Sequence, residues 1–400
     1  MEAARSPGSP PGAGPTRRAS WALLLGNFAI GCGVMVVAGS LNDLVRSLQV
    51  SVAVGGQLIA VAAVVMAFGA PLIAALVGGW DRRRLLTFTL LWFGLGHLLC
   101  AAMPNYAALL PVRALTVLGA AVFTPQAAAA IGVMAPPEER GRAITFIFLG
   151  WSISSVIGMP MHAYVGETLG WRAAFALVAL FSLAGAFSVW RAMPDGVKPP
   201  SLSLASWRQI ATNPVLVGLV AVTALSGAGQ FTVFSYFAPY YRQVLGAGAA
   251  EVSFLFLWFG AFGLIGNLLL TRVVDRIGTS RAVGFTLVLM AISLLAWPLA
   301  TSVVAMALVM VPWALGCFSS NSAQQARPGL ANPALPPAMM ALNTSAIYLG
   351  QAVGAAGGGA LVAASGGFGG LHWAGTAWMV AAIVLSVWVA RHMRGRPSGS

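Results

Sequence analysis

One arginine lies deep in an apolar segment, where a charge is costly. Arg113 follows about seven uncharged residues from Tyr106, which places it roughly 10 Å along a helix that rises 1.5 Å per residue. Inside a membrane helix an arginine costs about 2.5–3.5 kcal/mol or more, so Arg113 is expected to face a cavity or an acidic partner. The alternative is an arginine whose head group reaches back to the membrane surface.

Two more side chains in or beside apolar segments can gain or lose a proton. Imidazole titrates near neutrality, so His162 is a candidate for moving protons, with packing or hydrogen bonding as the alternative. Asp43 stands beside Arg46 at the end of an apolar run, and a surface ion pair is its alternative. With Arg113 they form the candidate set for charge coupling.

The other titratable groups form no catalytic or metal-binding pattern. The four histidines and nine acids are dispersed, and no Gly-x-x-x-x-Gly-Lys-[Ser/Thr] loop for nucleotide phosphates is present. Cys32, Cys100 and Cys317 lie far apart among apolar neighbours, as small buried hydrophobic residues do. These observations argue against an enzyme and an ATP-driven pump, and we expect no metal and no cofactor.

The composition places these residues in a membrane. Only 8% of the 400 residues are charged and 58% are hydrophobic, whereas a soluble domain carries about 25% charged residues. The net charge of +13 comes from arginines in short clusters between apolar runs, which indicates membrane topology and not nucleic-acid binding. We therefore expect the lipid bilayer as the main partner.

Twelve apolar runs are long enough to cross a hydrocarbon core, which takes about 20 helical residues. The sequence predicts an all-α membrane protein with twelve transmembrane helices in two pseudo-symmetric six-helix bundles. The predicted runs are 20–41, 52–77, 85–103, 106–130, 143–166, 173–192, 214–237, 252–271, 282–300, 302–325, 336–363 and 373–390.

The distribution of positive charge indicates how the predicted spans are oriented in the membrane. Of the 22 lysines and arginines, Arg113 falls in a run and only Arg46, Arg172 and Arg242 fall on one side, while the other eighteen share the side of the termini. Cytoplasmic loops of inner-membrane proteins carry such an excess. We predict a multi-pass protein of the inner cell membrane with both termini in the cytoplasm.

The chain divides into two halves that resemble each other. The predicted boundaries are a disordered cytoplasmic segment 1–19, bundles 20–193 and 214–391, a cytoplasmic linker 194–213 and a tail 392–400. The stretch from Gly69 to Arg84 recurs 197 residues later, from Gly266 to Arg281, and Pro136-Pro137 recurs 200 residues later as Pro336-Pro337. In transporters built from two such repeats, the substrate site forms between the halves.

The sequence resembles the major facilitator superfamily, specifically its twelve-span drug:proton antiporter group and the arabinose-efflux-permease-like branch. The resemblance rests on Gly69-Ala-Pro71, Asp81-Arg82-Arg83-Arg84, Arg113 with Gly119, Pro137-Glu-Glu-Arg-Gly-Arg142, Gly158-Met-Pro160, Gly170-Trp-Arg-Ala-Ala-Phe175, Phe234-Ser-Tyr-Phe-Ala-Pro239, Gly266-Asn267 and Asp275-Arg-Ile-Gly278.

The resemblance implies a role for Arg113 in proton coupling and substrate binding. Members of this branch often carry a glutamate in the first span where this chain has Val34. That departure puts the coupling mechanism in doubt. His97 is a minor candidate, because the third span is peripheral in this fold.

Small residues form one stripe along the fifth predicted apolar run. The predicted seam consists of Gly150, Ser154, Gly158 and Pro160, and His162 and Gly166 continue the four-residue spacing. Small residues let another helix approach closely. The resemblance places the antiporter motif here and implies that it sets this helix against the other half.

Charges at the inner loops form a candidate gate. Asp275 and Arg276 of the second half can pair with helix ends or with the first half, which supplies Arg82, Arg83 and Arg84. The alternative is that these charges only set the topology.

Polar residues within the runs are candidates for a substrate cavity. They are Asn27, Gln57, Gln230, Tyr236, Asn343 and Tyr348. Together with Trp151, Trp313 and Phe231 they suit a neutral or weakly cationic, partly apolar solute. Hydrogen bonds between packed helices explain each of them equally well.

We therefore expect a monomeric secondary transporter that exports a small organic solute, such as a drug, a sugar or a nucleoside-like compound, in exchange for protons. Alternating access would arise from rocking of the two bundles. The direction follows from the resemblance alone. A facilitator or importer without proton coupling is the alternative that Val34 favours, and a receptor without transport is a remote one.

Overall fold

The computed structural model describes residues 15–394 except 78, 137–139, 199–207, 209–211 and 332–335. Its helices group into spans 1 to 12, which are Pro15–Ser47; Val52–Leu76; Arg82–Ala102; Tyr106–Thr116 with Leu118–Met134; Arg140–Ile153 with Ser154–Gly158 and Met159–Thr168; Trp171–Ala192; Pro214–Phe234 with Phe237–Gln243; Ala249–Ile277; Thr279–Ala296; Val303–Val309 with Val311–Ala331; Pro336–Ser365; and Leu371–Arg394. We call the end where span 1 begins and span 12 ends the terminal face, and the opposite end the far face.

The twelve-span prediction is confirmed. Eleven helices are long and apolar enough to cross a membrane, and the bent pair Val303–Val309 and Val311–Gln324, which meet at 40°, supplies the twelfth. Large apolar side chains such as Leu76, Phe187 and Val304 are exposed on the outer surface. In a membrane this surface faces lipid, which explains the low content of charge.

Several spans are broken where the sequence predicted continuous helices. Span 4 breaks at Val117 and span 10 at Met310, while span 5 contains a π-helical segment, Ser154–Gly158. Span 1 has non-helical dihedrals at Ser40. Such breaks are tolerated where neighbouring helices satisfy the backbone. Apolar composition does not reveal them.

Polar side chains set several helix ends. Asp81 accepts a hydrogen bond from the backbone N–H of Arg84 and thereby caps span 3. Asn105 and Ser302, 197 residues apart in the sequence, cap spans 4 and 10 in the same way. The internal repeat therefore extends to the capping chemistry.

The helices form two six-helix bundles, as predicted. Span 1 packs on spans 5 and 6 in the first bundle, and span 7 packs on spans 11 and 12 in the second. The bundles meet where span 2 contacts span 11 and where span 5 contacts span 8. Residues 15–19, inside the segment predicted to be disordered, are helical in the structure.

The boundaries 193 and 214 stay a prediction. Most of the linker 194–213 lies outside the described residues, as do residues 1–14 and 395–400. The last helix runs to Arg394, so the first residues of the predicted tail are helical.

The stripe of small residues on span 5 packs against span 1 of its own bundle. A Cβ at Gly150 would collide with the backbone carbonyl of Leu24, and one at Gly158 would meet Cys32 Sγ. Gly150 and Gly158 therefore face span 1 and not the other half, which the resemblance had implied, whereas Pro160 of the predicted seam accepts a hydrogen bond from Ser253 of the other half. Gly350 of span 11 lies equally close to the carbonyl of Ala224 in span 7.

Candidate functional site

Arg113 lies where spans 1, 3 and 4 meet. Its side chain is fully buried. Nη2 donates to the carbonyl oxygen of Gly33 at 2.8 Å, and Nη1 is 2.9 Å from Nε2 of His97. Its guanidinium carbon lies 5.8 Å from the ring centre of Phe175 in span 6. Four helices therefore enclose one cation.

The hydrogen bonds of His97 determine its protonation state. Nδ1 is 2.7 Å from the carbonyl oxygen of Phe93, one helical turn earlier. Because a carbonyl only accepts, Nδ1 must carry the proton. Nε2 then accepts from the Arg113 guanidinium, which has only donors, so the ring is neutral in this structure.

The partner of Arg113 differs from the expected one. Among the described residues no carboxylate is hydrogen-bonded or ion-paired to it, and Val34, one residue after Gly33, is half-buried and apolar. A neutral imidazole and a carbonyl take the place of the acid or cavity that the sequence suggested.

Sequence reasoning set His97 aside as peripheral, although a signal was available. Spans 3 and 4 form a hairpin whose turn lies near Pro104 and Asn105. His97 and Arg113 stand about eight residues on either side of it, and antiparallel neighbours at equal distance from a turn lie at the same depth.

The other two coupling candidates lie apart from Arg113. Asp43 lies ten residues beyond Gly33 on span 1, about 15 Å along the helix. One carboxylate oxygen accepts from Arg46 at 2.7 Å, and the other accepts from the backbone N–H of Trp171 at 2.8 Å, at the start of span 6. This site belongs to the far face.

His162 is fully buried on span 5 and packs against Gly39 of span 1, whose added Cβ would lie 3.2 Å from the Cβ of His162. Among the described residues neither ring nitrogen has a hydrogen-bond partner. A buried imidazole without partners is costly, which keeps His162 among the candidates.

Polar contacts join the two bundles at the far face. Ser253 of span 8 donates to the carbonyl of Pro160 in span 5 at 3.0 Å, and Asn42 donates to the carbonyl of Ala238 at 3.2 Å. A guanidinium nitrogen of Arg242 lies 3.8 Å from a carboxylate oxygen of Glu167. In the described residues, span 5 meets span 8 through 154–168.

Comparison with known proteins identifies the family. A family model described as Major Facilitator Superfamily matches residues 23–329 and again 223–400. The chain belongs to the major facilitator superfamily. It is therefore a membrane transporter and not an enzyme.

This major facilitator has curated relatives in bacteria. Over 347 residues it is 29% identical to the inner membrane transport protein YdhP of Escherichia coli (strain K12), which covers 87% of this chain and 89% of the relative. Over 246 residues it is 28% identical to a probable sugar efflux transporter of Mannheimia succiniciproducens, which covers 62% of each chain.

The fold is also that of a solved transporter structure. A bacterial homologue of the human lysosomal transporter Spinster, in an inward-facing and unoccupied conformation, superposes with a TM-score of 0.76 at 17% identity. The match covers 98% of this chain and 100% of that chain. The likeness supports the predicted fold.

Two asparagines among the cavity candidates of this transporter connect helices. Asn27 donates to the carbonyl of Ile147 in span 5 at 3.0 Å and accepts from Thr124 of span 4 at 2.8 Å. In the second bundle, Asn343 of span 11 accepts from Thr223 of span 7 at 2.6 Å. These bonds position helices around the centre of each bundle.

Tyr236 is wedged between the bundles. Its hydroxyl donates to the carbonyl of Ala355 at 2.7 Å and lies against Gly56 of span 2 and Gly359 of span 11. Only glycine leaves room for the ring at these two positions. Tyr236 therefore helps to join spans 2, 7 and 11.

The remaining cavity candidates are less constrained. Gln230 is buried, and its amide nitrogen lies 3.4 Å from the hydroxyl of Ser226 on its own helix. Gln57 is exposed and accepts from Tyr106 at 3.4 Å, while Tyr348 is buried.

The gating candidates of the first half contact their own bundle. The Arg82 guanidinium donates to the carbonyl of Trp80 at 2.7 Å. Arg83 donates to the carbonyl of Trp190 and pairs with Asp195, both at 2.8 Å. These contacts fasten the loop between spans 2 and 3 to the end of span 6.

The other gating candidates lie toward the terminal face. Arg84 and Arg276 are exposed, and the side chain of Asp275 lies outside the described residues. Their role in gating therefore stays a prediction.

Proposed function

We propose that this chain is a secondary active transporter that exports a small organic solute in exchange for protons. The observation that carries the proposal is the buried Arg113–His97 pair inside a transporter fold. An ionisable residue within a membrane bundle is expensive and marks ion or substrate paths. Export is supported by the relative named as a probable sugar efflux transporter.

The solute is proposed to be neutral or weakly cationic and partly apolar. Gln230, Trp151 and Phe231 offer amide and aromatic surfaces on spans 5 and 7. Drugs, sugars and nucleoside-like compounds combine such polar and apolar surfaces. The described acids belong to the far or terminal face, which argues against a strongly cationic substrate.

Transport is proposed to follow alternating access. In the described residues, spans 5 and 8 join in their far halves, which corresponds to a state open toward the terminal face. Arg82, Arg83, Arg84, Asp275 and Arg276 would close that face in the opposite state. A single chain would carry out the whole cycle as a monomer.

The termini are proposed to be cytoplasmic in an inner cell membrane. Lys198 lies at the terminal face and Thr301 at the far face, both exposed, and the three native cysteines are buried. With a membrane-impermeant maleimide, Thr301→Cys should react in intact cells, and Lys198→Cys only after permeabilisation. The reverse pattern would contradict the orientation.

Flux in proteoliposomes tests the function. The probes are a labelled pentose, uridine and chloramphenicol, with and without an imposed pH gradient. An exchanger moves its solute toward the acidic compartment, so vesicles that are acidic inside should accumulate the substrate, and a protonophore should abolish accumulation. Equal uptake with and without the gradient would favour the facilitator that Val34 suggests. Tight binding without flux would indicate a receptor.

A further inference from the structure

Among the described histidines, only His97 is hydrogen-bonded to Arg113. His97 lies in direct contact with Arg113, and Val34, the neighbour of Gly33 in span 1, has no titratable group. We propose that Nε2 of His97 carries the coupling proton. The inference rests on proton-coupled transport as proposed above and names the group responsible.

The chemistry follows from the hydrogen bonds. Nε2 has one lone pair, which now accepts from Nη1 of Arg113. When a proton binds Nε2, that hydrogen bond breaks, two donors face each other, and the charge of the pair rises from +1 to +2. Protonation of His97 and the present position of Arg113 therefore exclude each other.

In the part of the chain that the structure describes, no carboxylate contacts His97. The groups that face His97 are Arg113 from span 4, the carbonyl of Gly33 from span 1 and the ring of Phe175 from span 6. Cys100 on its own helix contacts Thr116 across 3.7 Å. His162 of span 5 is another fully buried imidazole of the first bundle. None of these is a carboxylate, so the return of Arg113 displaces the proton.

The helices couple this exchange to movement. A Cβ at Gly33 would lie 2.9 Å from Cε1 of His97, and one at Gly96 would collide with Thr116. The three spans are thus closely packed, and a proton reaches Nε2 only when they separate. Span 4 breaks at Val117, one turn after Arg113, which gives the segment Tyr106–Thr116 a hinge.

One proton is taken up and one released in each cycle. With the far side open, Arg113 withdraws and His97 takes a proton from the medium there. With the terminal side open, Arg113 returns to Nε2 and the proton leaves on that side. The solute crosses in the opposite direction.

His97→Gln is the decisive variant. The amide oxygen of glutamine can accept from Arg113 but carries no proton near neutrality. Accumulation driven by a pH gradient should fall by roughly tenfold or more, while exchange of labelled for unlabelled solute across the membrane continues. The matched control is His392→Gln. His392 makes the same contact with a carbonyl one turn earlier, 2.9 Å from Trp388, but is exposed.

A second variant keeps the test valid if His97→Gln does not fold. His97→Glu restores a group that can carry a proton, so coupling should persist with a pH profile shifted to the acid side. Undiminished gradient-driven accumulation in His97→Gln, or an unshifted profile in His97→Glu, would overturn the assignment. Absence of any gradient effect in the unmodified protein would instead refute the proposed function.

Discussion

The two bundles have the same arrangement of helices, which we call the shared frame, but different side chains are buried between those helices. Between spans 3 and 4 the first bundle encloses the Arg113–His97 pair. Spans 9 and 10, which the repeat matches to them, enclose aromatic rings instead. Trp297 and Trp313 are buried around Phe237, with ring centres 5.6 and 5.2 Å from it.

The glycine contacts are nevertheless repeated in both bundles. Gly150 on span 5 and Gly350 on span 11 each lie against a carbonyl of the first helix of their bundle. At the outer end of these stripes the first half has His162 where the second has Val362. The glycine packing is thus alike in the two bundles, while the buried polar groups differ: the first bundle buries Arg113 beside His97, and the second buries Arg327, which donates to the hydroxyl of Ser386 at 2.9 Å. We expect the first bundle to respond to protons through His97, and the second, whose buried arginine has no imidazole partner among the described residues, to move as a rigid body.

The largest expected effect follows removal of the cation beside His97. Arg113→Met keeps much of the volume but removes the charge and both donors. Gradient-driven transport should fall by about 100-fold or more, since no guanidinium remains to displace the proton from His97. Flux in proteoliposomes measures this, with the exposed Arg191→Met as control. If Arg113→Met still coupled transport to the pH gradient, the proposed difference between the bundles in their response to protons would be wrong.

Next in size is a pair of glycine substitutions that tests the shared frame. In Gly150→Val and Gly350→Val the new side chain meets a backbone carbonyl, that of Leu24 or Ala224. Overpacking of this kind costs about 1–3 kcal/mol. Thermal unfolding in detergent should show a similar loss for both variants. A loss in only one bundle would show that the frame is not symmetric.

A smaller effect is expected in the aromatic cluster of the second bundle. The indole nitrogen of Trp313 has no hydrogen-bond partner among the described residues, so Trp313→Phe gives up little polar contact. We expect a stability loss below about 1.5 kcal/mol and nearly unchanged flux. A large loss of flux in a stable variant would show that Trp313 contacts the solute.

The smallest effect is expected at the terminal face. Arg83 pairs with Asp195, whose side chain is 66% exposed. Exposed pairs contribute about 0.2–1 kcal/mol and weaken as salt rises. Arg83→Ala should lower the unfolding temperature slightly, and less at high salt. If flux falls while stability does not, Arg83 belongs to the gate and not only to the loop.

The helix count and the repeat were predictable because they depend on local composition. In lipid, the backbone N–H and C=O groups of a run of about twenty apolar residues need hydrogen bonds, and a helix supplies them within the run itself, whichever helices surround it. The breaks at Val117 and Met310 were not predictable, since neighbouring helices decide whether a freed backbone group finds a partner.

The candidate site was predicted in part. The burial of Arg113 was predictable from its depth in an apolar run, whereas its partner His97 was not predicted, because the partner expected for a buried arginine is an acid. Asn27 and Asn343 were proposed to line a cavity, yet both form hydrogen bonds between helices. A polar residue in a span has to be satisfied, and the sequence does not say whether a helix or a solute does so.

The sequence by itself determined that this is a membrane protein of twelve helices in two related halves, because hydropathy and charge act through the local cost of burial in lipid. Only the tertiary structure decided which helix faces meet. It set the span 5 stripe against span 1, wedged Tyr236 between Gly56 and Gly359, and joined His97 to Arg113. The rotation of each helix about its axis is fixed by packing against distant segments of the chain. These contacts therefore cannot be predicted from the sequence of any single span.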